Sequence, residues 1–188
     1  MHTTGVNLQI LRIAAGVDPE PCDDASVRAV FELGESSFLA IYSRAPIDAC
    51  TRTSSRVVAT ELLADIIGPR TTIRKLSELD ASMAAIQLLP GSESAVSTWR
   101  SSMSSLYTQA IDSIEQEGVL CESWFSFHIE DQALLFAVML RPTGSQHEEK
   151  CAVRTLEINR HHRAFKASWD RNLRITCRPL LAHPKIQD

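Results

Sequence analysis

Apolar positions along this chain change their spacing from segment to segment, and the changes outline its elements. A spacing of two marks a strand with one buried face, and a spacing of three to four marks a helix. The clearest succession runs from Met83 to Pro179. A short apolar run, Met83 to Leu89, stops at Pro90-Gly91. A long helical stripe follows, carried by Val96, Trp99, Met103, Leu106/Tyr107, Ala110 and Ile114. Ser92 is placed as its N-cap and Gly118 as its end. Two strand-like runs, Val119 to His128 and Ala133 to Leu140, flank the polar Ile129-Glu130-Asp131-Gln132. A second helical pattern ends near Trp169 and leads into a strand over Leu173 to Leu181.

This order, β-α-β-β-α-β, predicts an α+β fold of the ferredoxin-like kind, a four-stranded antiparallel sheet with two helices on one face. Upstream, Val6 to Ala15 reads as a strand, and Ser26 to Leu33 with Phe38 to Ser43 as a hairpin. Ser54 to Ile67 reads as a helix on Val57, Val58, Leu62 and Ile66, and Thr71 to Leu76 as an edge strand. Residues 1–80 therefore form a degenerate ferredoxin-like or accessory region, and 81–188 a ferredoxin-like domain. The boundary falls within Ser77 to Ser82.

In the run Leu120 to His128, alternation places Leu120, Glu122, Trp124, Ser126 and His128 on one face. Cys121, Ser123, Phe125 and Phe127 take the other. The returning run Leu134 to Leu140 is apolar on both faces, so the face away from the helices needs a cover. The candidates are residues 1–80 as an internal pseudo-dimer, a second subunit, or a ligand. Two such units packed sheet to sheet would form an α/β-barrel-type assembly.

Composition narrows the setting. The 188 residues are 44% apolar, enough for a generous core, and the formal charge is −4. Such a balance disfavours a dedicated nucleic-acid binder, although Lys and Arg outnumber acids from Arg154 onward. Five cysteines without a C-x-x-C pair indicate neither a disulfide scaffold nor a zinc knuckle. There is no signal-like segment and no apolar run of membrane length, so the expected setting is cytoplasmic.

Chemistry is sparser than architecture. The spacing Ile158, His162, Phe165, Trp169 puts His162 on the apolar side of the second helix, as a general base, a haem or metal ligand, or a core histidine. His128 lies beside Glu130 and Asp131, where an acid could pair with it. Trp99, Tyr107, Trp124, Phe127 and Trp169 are candidate walls of an aromatic-ligand cavity. His161-His162 has no zinc spacing, and no phosphate loop, nucleophile elbow or deaminase signature occurs. The residues specify no cofactor and no metal site.

The Leu88-Leu89-Pro90-Gly91 entry to a helix bearing Trp99, the strand Glu122-Ser123-Trp124-Phe125, and Ile158 followed by His162, Phe165 and Trp169 resemble small proteins of the dimeric α/β-barrel superfamily, more loosely a little-characterised bacterial group within it. This likeness covers about half the chain. Asn159 stands where that pattern carries Asp. The resemblance implies cofactor-independent monooxygenase, cyclase, isomerase or haem-dependent activity. The favoured role is thus binding a small apolar or aromatic molecule in a barrel cavity, with oxidation or isomerisation as its chemistry. His162 or His128 would take a proton, and Asn159, Arg160 or Tyr107 would position an oxyanion, with Phe165 among the ligand contacts. With haem, His162 is the first axial candidate. The alternatives are a non-enzymatic assembly or regulatory protein using the apolar sheet face and, third, an RNA-binding module.

Overall fold

The computed structural model describes residues 7–12, 27–33, 38–43, 57–58, 60–69, 79–129, 132–144, 156–175 and 177–182. The strands are β1 (Asn7–Arg12), β2 (Val27–Leu33), β3 (Phe38–Ser43), β4 (Val57–Val58), β5 (Thr60–Ile67), β6 (Leu79–Leu88), β7 (Cys121–Ile129), β8 (Gln132–Pro142), β9 (Trp169–Ile175) and β10 (Cys177–Ala182). The helices are α1 (Glu93–Ser105), α2 (Tyr107–Gln116) and α3 (Glu157–Phe165), the last continued by a 3-10 turn over Lys166–Ser168.

They build two antiparallel sheets of five strands, ordered β10-β2-β3-β1-β4 and β5-β7-β8-β6-β9. The expected barrel-type assembly does not form. Each sheet is open and has its own hydrogen-bond ladder, and β5 extends the second sheet beyond the four strands expected of it. The chain passes between sheets twice: β4 lies in the first and β5 in the second, β9 in the second and β10 in the first.

The helix expected over Ser54 to Ile67 is the largest local error. Thr60–Ile67 is a strand paired with β7, and its register shifts between Leu62 and Ala64. An interval of four suits a helix turn and, equally, one face of a strand. The bulge then changes which side each apolar residue faces. Leu62 packs into the core between the sheets, whereas Leu63 and Ile66 pack beneath the helices. β-branched Val57, Val58, Ile66 and Ile67 tip such a segment towards extended structure. The strand expected at Thr71 to Leu76 lies outside the described residues, as do Glu130 and Asp131 beside His128, Arg154 and Cys22, Cys50 and Cys151.

The apolar face away from the helices is covered from within the chain. Leu8 of β1 and Ala40 and Tyr42 of β3 join Phe125, Phe127, Phe136, Val138 and Leu140 in one buried cluster. The Tyr42 ring meets Phe125 edge-on, with centroids 6.3 Å apart. Its hydroxyl lies 3.0 Å from Ser123 Oγ, and Ser123 in turn donates to Asp65 Oδ1 at 2.7 Å. This buried chain of bonds ties the two sheets together. Full burial of each large side chain here contributes about 1.5–3 kcal/mol.

On the opposite face lie the helices. The stripe inferred for the first helical segment is buried as expected, through Trp99, Met103, Ala110 and Ile114. It belongs to two helices, however, because the backbone breaks at Leu106 (φ −109°, ψ 31°). Ser92 occupies the N-cap position of α1 without capping it, its hydroxyl donating instead to the Leu89 carbonyl. Gly118 closes α2 at φ +68°, a conformation that favours glycine. No helix among the described residues is long and apolar enough to cross a membrane.

Candidate functional site

A cavity of about 650 Å³ lies between the helices and the second sheet. Its floor comes from strand residues that alternate towards the helical side: Ala84 and Ile86 of β6, Glu122 and Trp124 of β7, and Ala137, Met139 and Arg141 of β8. Register aligns these rows, with Glu122 opposite Met139 and Trp124 opposite Ala137. Its roof includes Ser113 and Ile114 of α2 and Ile158, Asn159 and His162 of α3. Lys166 and Trp169 complete one side.

All three tryptophans of the chain gather here. Trp99 is 1% exposed. It stacks on Phe165 at 4.6 Å between centroids and meets Trp124 edge-on at 5.1 Å. Trp99 Nε1 donates to His162 Nδ1 at 3.3 Å. An indole nitrogen only donates, so His162 Nδ1 must accept, and in neutral His162 the proton sits on Nε2. Burial, reinforced by Lys166, pushes His162 down to about 4, so the ring is neutral at physiological pH. Ligation of haem through Nε2 would require that proton to move to Nδ1, breaking the bond from Trp99. The arrangement does not suit an axial haem ligand.

Glu122 carries the second perturbed group. Burial pushes its carboxyl up to about 7, and Glu117 adds to the rise. The Trp124 indole N–H, Lys166 and Arg141 oppose it by favouring the charged form. Three buried donors in the walls, Trp124 Nε1, Trp169 Nε1 and Arg141 Nε, make no hydrogen bond. Arg141 is held at its far end, donating to Ser82 Oγ at 3.0 Å through Nη1 and to Met139 Sδ at 3.6 Å through Nη2. Lys166 Nζ sits 5.4 Å from the centre of the Trp169 ring.

Of the residues singled out from sequence, the fold brings His162, Asn159, Trp124 and Trp169 to the cavity wall. Asn159 Oδ1 accepts from Ser113 Oγ at 2.7 Å, which joins α3 to α2. Trp99 and Phe165 stand immediately behind this wall. The other four lie elsewhere. Phe127 packs on Phe136 across the sheet, in the core shared with β1 and β3. Tyr107 is 40% exposed, and its hydroxyl accepts from the Ile67 N–H at 3.3 Å. Arg160 is exposed and pairs with Glu157 at 3.3 Å. His128 is exposed in a separate groove with Arg100 and Gln132.

Glu122, Arg141 and Lys166 were absent from the sequence-derived site. Glu122 had a readable signal, a carboxylate two residues from Trp124 on the strand face turned to the helices. Arg141 follows Ala137 and Met139 in the same alternation on β8.

Residues 79–188 match the model of a Family of unknown function (DUF6176), more than half of the chain, and the protein belongs to that family. No curated protein and no solved structure matches it. The resemblance to dimeric α/β-barrel proteins is therefore corrected on two grounds: the family match is to a different description, and the sheets remain open.

Proposed function

We propose that this member of the DUF6176 family binds a small apolar or aromatic molecule in the cavity between its helices and second sheet. The observation that carries this reading is the set of three unpartnered buried donors in the wall of a cavity that mixes apolar and charged side chains. A buried donor left without a partner costs about 1–3 kcal/mol, and a ligand oxygen seated beside Trp124 and Trp169, whose rings lie 6.2 Å apart, relieves that cost. Ile86, Met139 and the indole faces suit the ligand's apolar body. Proton transfer is the chemistry these walls add: Glu122 exchanges a proton near neutral pH, while His162 offers Nε2–H as a donor. This assigns to Glu122 the acid–base part that the sequence pattern gave to His162 or His128.

Isothermal titration calorimetry with 1-naphthalenemethanol, an aromatic ring with one hydroxyl, tests the reading. For a ligand of this size, saturable binding with Kd on the order of 0.1–1 mM is expected. Ala84→Phe, which fills the cavity floor, should weaken it at least about tenfold, or 1.4 kcal/mol. Equal binding by folded wild type and A84F would place the ligand outside this cavity, and absence of binding to wild type would remove the proposal.

A further inference from the structure

Resting on that small-molecule reading, we propose that the ligand is an elongated aromatic compound with a carbonyl at each end, one accepting beside Trp124 and Trp169 and the other from Arg141 Nε. The strand register sorts the unpartnered donors into two places. Trp169 stands opposite Leu88 at one end of β6, and its ring reaches back to within 6.2 Å of Trp124. Trp124 is in line with Ala137 and, across β8, with Ala84. Arg141 stands opposite Asp80, towards the other end of β6. Its guanidinium turns inward along the sheet, where Nη1 donates to Ser82 Oγ at 3.0 Å and Nη2 to Met139 Sδ at 3.6 Å. Ser82 and Met139 are themselves a register pair, so the head of Arg141 is held at their level.

The rise of a strand puts that level about 7 Å from Ala84 and about 20 Å from Leu88. A single carbonyl or carboxylate cannot bridge such a span, whereas two groups joined by a ring system can. The floor between the two ends suits the joint. Ala84 pairs with Ala137 across the ladder, and both line the cavity. Two methyl groups keep the floor low at its middle, with Ile86 on one side along the strands and Met139 on the other. A flat ring system rests over the alanines, and the cavity of about 650 Å³ is large enough for it.

The chemistry of each end follows from its donors. Indole and guanidinium nitrogens donate and do not accept, so the three unpartnered atoms call for acceptors. A carbonyl brings two lone pairs and no proton that needs a partner of its own. The bond from Arg141 is charge-assisted, which makes its end the stronger single contact. The test compares 2,6-diacetylnaphthalene with 2-acetyl-6-isopropylnaphthalene, which keeps the shape and one carbonyl, by ligand-observed NMR titration of the full chain. Wild type should bind the diketone about tenfold more tightly, beyond the roughly twofold owed to its two equivalent ends. Arg141→Met and, separately, Trp169→Phe, each confirmed as folded by circular dichroism, should bring the two affinities to within about twofold. The wild-type comparison decides alone should either variant fail to fold.

Equal affinity of wild type for the two ligands, or a tenfold preference that survives in either folded variant, overturns the two-ended assignment and leaves the cavity reading in place. Failure of both ligands and of 1-naphthalenemethanol to bind folded wild type overturns both.

Discussion

Replacing Trp99 with alanine is expected to destabilise the protein by about 3–5 kcal/mol, the range for removing a large aromatic side chain from a core. Trp99 is almost fully enclosed, stacks on Phe165 and braces Trp124. Its N–H also fixes the His162 tautomer. The loss therefore combines a void in the helix–sheet core with an uncompensated polar atom on His162. Trp99→Phe should fall between wild type and alanine, retaining ring packing without the hydrogen bond. Urea midpoints for the three proteins, with the denaturant slope monitored, check this order. A cost below about 1 kcal/mol for the alanine variant would mean that Trp99 does not organise the site.

The second large effect is concealed in the wild type. Glu122 is raised from its ordinary value to about 7, so between about pH 4.5 and 7 the folded state holds a proton that the unfolded state releases. This contribution makes stability fall as pH rises through that window. His162 is lowered to about 4, so between about pH 4 and 6.5 the unfolded state holds the extra proton. Its contribution makes stability rise with pH. Each displacement is worth about 3 kcal/mol, and the windows overlap, so the two nearly cancel. Wild-type stability should change little from these groups between pH 4.5 and 6.5. Glu122→Gln should unmask a rise of about 3 kcal/mol from pH 4 to 6.5, and His162→Asn a fall of similar size from pH 4.5 to 7. Asn is chosen because its carbonyl can accept from Trp99. Denaturation midpoints across this range are the readout. Parallel profiles for both variants would show that neither group is held as described.

Much of the helix-side architecture was legible because its periodicities are long and unambiguous. The stripe from Trp99 to Ile114 and the set Ile158, His162, Phe165, Trp169 repeat over several turns, and those positions meet on the helix side of the second sheet around Trp99. The β7–β8 hairpin was equally plain, since alternation in one strand met a continuous apolar run in the next. Residues 54–67 misled because a four-residue interval cannot distinguish strand from helix, and the bulge after Leu62 erased the alternation that would have decided it. The apolar face of the second sheet signalled its need for a cover. Which segment covers it depends on long-range pairing of β1 with β3 and on the sheet changes after β4 and β9, and no local spacing encodes these.

The site was half legible for a related reason. Aromatic and histidine side chains attract notice as candidates, whereas Glu122 and Arg141 read as ordinary strand charges until their faces are assigned. Alternation did assign Glu122 to the face of Trp124. Only the placement of three helices over that face shows that its carboxyl, together with Arg141, borders a cavity.

A small molecule in this cavity is expected to engage donors left unsatisfied within the chain. Because the protein contains three tryptophans, selective ¹⁵N labelling of the indoles gives three N–H signals. On titration with 1-naphthalenemethanol, the Trp124 and Trp169 signals should move saturably, while Trp99, committed to His162, moves least. Signals that all stay fixed at saturating ligand, or a Trp99 shift larger than the other two, would contradict ligand binding at these donors.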